Sequence, residues 1–173
     1  MLTQEQQHER ILYPVTRVRT EKAGGSGVLV YSKEDSKRPG TYINIVLTCE
    51  HVVDSAIKVQ EEWHNILKKN IKKDFLEEVT CESFVYDGSK LLSANSSRAE
   101  IIAYDKHHDV AAVKLLNTLP QKYVATVYPK DEIKNLRLFD PIWVSGCSLL
   151  HDPFASSGEL TYLREVIEQK TYC

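Results

Sequence analysis

The sequence predicts a mainly β protein, built as a small barrel of about six short strands with one inserted amphipathic helix. Three observations lead there. Short apolar, β-branched runs recur along residues 13–115, and turn signals (Gly-Gly, Pro-Gly, Asp-Gly) separate them. One segment, 60–78, carries its apolar residues at helical spacing instead. At 173 residues and 42% apolar composition the chain can bury a core.

Taken in order, Leu2 to Ile11 is rich in Gln and Glu and reads as a short helix leading into the fold. Tyr13 to Thr20 alternates Val15 and Val18 with polar residues, and Pro14 suits a strand start. Gly24, Gly25 and Gly27 then allow a tight turn or a close backbone approach before the buried run Val28 to Tyr31. A phosphate loop is excluded, because the run after Gly27 is short and β-branched and no Lys-Ser/Thr pair follows. Ser32 to Gly40 is a charged loop closed by Pro-Gly, so the flanking strands form a hairpin. Its second strand opens Tyr42 to Val53, YINIVLTCEHVV: an apolar run ending on Thr48, then His51 at the mouth of a turn beside Val52 and Val53.

A short strand, Ile57 to Val59, precedes the helical segment, where Trp63, Ile66, Leu67, Ile71, Phe75 and Leu76 form one stripe expected to cover the barrel. Lys68, Lys69, Lys72 and Lys73 are bracketed by Glu61, Glu62, Glu77 and Glu78, which makes a solvated face rather than a nucleic-acid patch. Period two returns at Val79 and runs to the Asp87-Gly88 turn. Ser93 to Arg98 reads as a polar loop, Ala99 to Tyr104 as a strand, and Val110 to Leu115 as a buried strand behind Asp109. A linker at 117–122 opens a second region. There Tyr123 to Pro129 is a strand candidate, Lys130 to Asn135 a charged connector, Asp140 to Leu150 a turn and strand ending at Gly146, and Ser156 to Leu163 one more strand.

Composition narrows the partners. Lys plus Arg number 22 against 24 for Asp plus Glu, and a net charge of −2 gives no field that would gather nucleic acid. No window approaches about 18 apolar residues and no signal peptide opens the chain, so a soluble, cytoplasmic protein without membrane contact is expected. Cys49, Cys81, Cys147 and Cys173 form no Cys-x-x-Cys pair, which predicts reduced thiols and neither a zinc ribbon nor a disulfide framework. No cofactor or metal motif is present. On residue types alone His51 is a surface histidine and Asp109 a strand-start cap.

The order of the motifs says more. Gly25-Ser26-Gly27-Val28-Leu29-Val30, Val46-Leu47-Thr48-Cys49-Glu50-His51-Val52-Val53 and Asp109-Val110-Ala111-Ala112-Val113-Lys114-Leu115 follow one another. Asp140-Pro141-Ile142-Trp143-Val144-Ser145-Gly146-Cys147 and Ser156-Ser157-Gly158-Glu159-Leu160 come after them. Together they resemble the bacterial trypsin-like peptidases, the group that includes the HtrA-like proteases. The resemblance implies two six-stranded barrels with the site between them. Residues 1–116 then form the first barrel and 117–173 the linker and first strands of an incomplete second. It also implies that His51 is the general base, Asp109 the buried carboxylate that orients it, and a protein or peptide the substrate. An imidazole activates a serine hydroxyl by taking its proton, and the carboxylate fixes the imidazole's tautomer.

Three departures qualify that expectation. Glu50 stands where the family has a small residue, either bringing a carboxylate to the base or pointing to solvent. His51 and Asp109 are 58 residues apart, lengthened by the segment at 60–78. The nucleophile motif Gly-x-Ser-Gly-Gly is absent. Ser26 and Ser157 lack the Gly-Gly that builds an oxyanion hole, and Cys173 has no chain behind it. The expectation is therefore a fragment whose nucleophile lies elsewhere, on the missing C-terminal half or another chain. A catalytically inactive pseudo-protease serving as a binding or regulatory module is the alternative. An unrelated small β-barrel remains if His51 and Asp109 lie far apart.

Overall fold

A computed structural model describes residues 2–66, 68–163, 165–167 and 170–172. Twelve strands are described, and six close into an antiparallel barrel. They are β1 (Val15–Arg19), β2 (Gly24–Glu34), β3 (Tyr42–Thr48), β6 (Val79–Asp87), β7 (Lys90–Asp105) and β8 (Val110–Leu115). Their order is β1-β2-β3-β8-β7-β6, and β6 returns to pair with β1. Closure leaves no free barrel edge. The expected N-terminal helix is present as α1 (Gln4–Gln7), capped by Thr3 and continued by a π-type turn, His8–Leu12.

Period-two patterning selects the core. Val18, Val46 and Val113 are fully buried from β1, β3 and β8, and Ala99, Ile101, Cys81 and Leu29 close around them. Each fully buried valine contributes about 1.5–3 kcal/mol. Val52 and Val53, just after β3, join the same cluster. The free thiols Cys81 and Cys147 are buried, and burial pushes them up to about 12 and about 11.

The segment expected to be a helix is a β-hairpin. β4 (Ile57–His64) pairs with β5 (Lys69–Leu76) in continuous register from Ile57↔Leu76 to His64↔Lys69. Helix-favouring Glu and Lys are overruled because the antiparallel register sets opposite charges face to face. Glu61 lies opposite Lys72, and Lys73 reaches Glu62 at 3.5 Å. Lys68 takes a left-handed φ of 48° at the turn, and Leu67 of the expected stripe lies outside the described residues. Trp63, Ile66 and Phe75 are exposed, so the stripe does not cover the barrel.

Two smaller expectations also change. The polar stretch Ser93 to Arg98 is strand, part of the 16-residue β7, because backbone pairing with β6 needs no apolar side chains there. Tyr123 to Pro129 is not a strand, although Ala125 N–H donates to Leu29 O at 2.8 Å. Beyond it, β9 (Pro141–Gly146) and β10 (Phe154–Glu159) form a two-stranded sheet, as do β11 (Glu165–Ile167) and β12 (Lys170–Tyr172). This second region meets the barrel through Cys147, whose N–H donates to Ser26 Oγ at 2.8 Å, and through Arg17, which donates to Leu150 O at 2.8 Å.

Asn44 fastens the linker to β3. Its buried Nδ2 donates to Asn117 O and Leu119 O, both at 2.9 Å. Asn44→Ala strips partners from both carbonyls, at about 1–3 kcal/mol for each buried group left unpaired. Loss of the unpartnered Oδ1 offsets part of that, so a net loss of about 2 kcal/mol is expected. A urea titration showing less than about 0.5 kcal/mol would reject this role.

The β2–β3 loop is held by Asp35, which accepts from Lys37 N–H at 2.9 Å and Arg38 Nε at 3.0 Å. The Lys37 backbone N–H, then the Arg38 side chain, hold its carboxyl below the ordinary 3.8. A lowered folded-state pKa stabilises fully above the unfolded value and is lost as pH falls through the folded one. Stability should therefore drop below about pH 4, with a smaller drop in Asp35→Asn. Equal acid sensitivity of both proteins in denaturant melts would contradict the assignment.

Candidate functional site

Between Thr48 and Val53 the chain turns from strand to helix. Thr48 Oγ1 donates to Ser26 O at 2.9 Å, Cys49 is extended, and α2 (Glu50–Val53) makes a single helical turn. Burial then fixes which way each residue faces. Glu50, Val52 and Val53 point inward, which leaves His51 facing solvent. Gly25 makes this possible: a Cβ there would stand 2.6 Å from Val52 Cγ2. The glycine run is therefore part of β2, used for close approach rather than for a turn.

Asp109 arrives from the β7–β8 turn with a left-handed φ of 53°, a conformation that Asp tolerates better than most residues. Its carboxylate grips the helical turn at two points. Oδ1 accepts His51 N–H at 2.9 Å, and Oδ2 lies 2.7 Å from His51 Nδ1. The His51 backbone N–H, then its ring, hold the Asp109 carboxyl below its ordinary value against desolvation. An ionised Asp109 accepts only, so Nδ1 carries the proton and Nε2 presents a lone pair.

Both sequence-predicted site residues thus meet, 58 positions apart. The expected burial of the carboxylate does not hold among the described residues: the Asp109 side chain is 46% exposed and that of His51 66%. Glu50 does not point to solvent: it is buried. Ser26 is engaged with Cys147, and Ser157 lies in β10 opposite Trp143. Cys173 lies outside the described residues.

Two neighbours escaped the sequence reading. His108 Nδ1 lies 2.6 Å from Asp105 Oδ2, a second His–Asp pair made locally within one turn. Cys49 is exposed, its thiol raised by desolvation and then by the Asp109 charge. The one signal for Cys49 was its place two residues before His51, which brings both to one side once Glu50 turns inward.

A family model described as a trypsin-like peptidase domain matches residues 25–172. Among solved structures, the chain is similar to the protease domain of MamO from Magnetospirillum magneticum, at 13% identity and a TM-score of 0.57. That match covers 95% of this chain and 69% of the other. It is also similar to Deg5, at 15% identity and a TM-score of 0.59, covering 94% of this chain and 64% of that one. These likenesses concern the fold. No curated protein matches the sequence.

Proposed function

Because the chain belongs to the trypsin-like peptidase family, we propose that it supplies the base and orienting carboxylate of a serine endopeptidase acting on proteins or peptides. The observation that carries this reading is the two-point grip of Asp109 on His51. In this role Nε2 removes the proton of a serine hydroxyl as it attacks the scissile carbonyl, then returns it to the leaving amine. Asp109 holds the ring and stabilises the imidazolium between the two transfers. The serine and its oxyanion hole come from sequence that follows residue 173 or from another chain. Further strands from the same source would cover Val144 and Phe154, which β9 and β10 leave exposed.

The absence of Gly-x-Ser-Gly-Gly from these 173 residues favours a second reading. In it the barrel is a pseudo-protease kept as a binding or regulatory module. A fluorophosphonate probe separates the two on the product encoded by the gene with its downstream sequence. Labelling that disappears in His51→Ala supports the peptidase. No labelling of the wild-type product leaves the pseudo-protease.

A further inference from the structure

We propose that Cys49, His51 and Asp109 form a binding site for a borderline divalent cation such as Zn(II), whose occupancy replaces the histidine–aspartate hydrogen bond. Sγ of Cys49, a ring nitrogen of His51 and a carboxylate oxygen of Asp109 lie within 4.8 Å of one another. Thiolate, imidazole and carboxylate together are a zinc-type donor set. Ligand atoms around one tetrahedral zinc, at about 2.0–2.3 Å from the metal, stand roughly 3.3–3.7 Å apart. The set therefore closes by small side-chain rotations.

The fold brings the three together without help from a sequence motif. Cys49 ends the extended stretch after β3, His51 lies across the inward-turned Glu50, and Asp109 is aimed by its left-handed backbone. All three reach solvent, so a hydrated ion can enter and keep water at its fourth position.

Asp109 Oδ2 and His51 Nδ1 are 2.7 Å apart, too close for two ligands of one ion. Coordination through Nδ1 therefore separates them and puts the metal where the Nδ1 proton was. Three bonds form (M–S, M–N, M–O) as the ion sheds water. The thiol proton leaves to buffer, the ring stays neutral with its proton on Nε2, and nothing is oxidised or reduced. An Nε2 that carries a proton cannot accept one from serine. Metal binding stands by itself, while its inhibitory consequence rests on the peptidase reading.

Cobalt(II) is the probe, added to the reduced, metal-free chain. One equivalent should give a thiolate-to-cobalt charge-transfer band that zinc(II) then displaces. The band should be lost in Cys49→Ala and in His51→Ala. It should survive in a His107→Ala, His108→Ala double variant, which removes the neighbouring imidazoles. No band, or one that persists in Cys49→Ala, overturns the site. In proton NMR, zinc should remove the downfield Nδ1–H resonance of His51, and its persistence at saturation overturns the exchange of ligands. If the band forms but the fluorophosphonate probe labels nothing, the metal site stands and the peptidase reading falls.

Discussion

On the peptidase reading proposed above, Asp109→Asn should lower kcat of the product encoded with its downstream sequence by about 10⁴-fold while leaving the barrel folded and substrate affinity little changed. The two-point grip gives the reason. In Asp109→Asn the His51 backbone N–H still needs an acceptor, so the amide oxygen takes the place of Oδ1. The amide NH₂ must then face Nδ1, which lies 2.7 Å from the present Oδ2. A donor facing Nδ1 forces the ring proton onto Nε2, the atom required to be unprotonated. Geometry survives and the tautomer is wrong. Steady-state kinetics with a peptide substrate, beside NMR assignment of the ring tautomer, would check this. A kcat within about tenfold of wild type would remove Asp109 from the role of orienting residue.

Gly27→Ala should be the most damaging of the single-methyl changes in the barrel. A Cβ at Gly27 would stand 2.7 Å from Thr16 Oγ1, 2.7 Å from Val46 Cγ1 and 2.8 Å from Val18 Cγ2. Val18 and Val46 are fully buried and Thr16 nearly so, which leaves none of them an empty direction to move in. Overpacking of this kind costs about 1–3 kcal/mol, and three simultaneous clashes place this case at the upper end. For a chain of this size Tm should fall by about 6–12 °C. The damage also reaches the site, since Gly27 pairs with Thr48 at the end of the strand that delivers His51. Thermal unfolding with a shift under about 2 °C would show that the core yields more readily than its packing implies.

Strand positions were legible where burial selects one face. The run from Tyr42 to Thr48 and the run from Val110 to Leu115 fell where period two put them, whereas Val15 and Val18, three positions apart, are buried in separate clusters. The segment 60–78 misled because Trp63, Ile66, Ile71 and Phe75 satisfy a helical stripe by spacing alone. The alternative, Glu61 facing Lys72 across a hairpin, depends on a register that spacing does not encode. Ser93 to Arg98 misled for a related reason, since exposed strand residues carry no apolar signal and are recognised only through their partners on β6.

The sequence by itself determined the barrel's apolar alternation, its glycine approaches and the family motif order, because each is a local demand on residue type. It also named His51 and Asp109 as candidates. Only the tertiary structure decided that they meet, because closure of β3 against β8 brings together two turns far apart in the chain. The left-handed backbone of Asp109, the inward turn of Glu50 and the placement of Cys49 beside the pair were decided there too. The inward turn of Glu50 follows from the burial of Val52 and Val53 on the same helical turn, which fixes a direction in space that residue spacing cannot express.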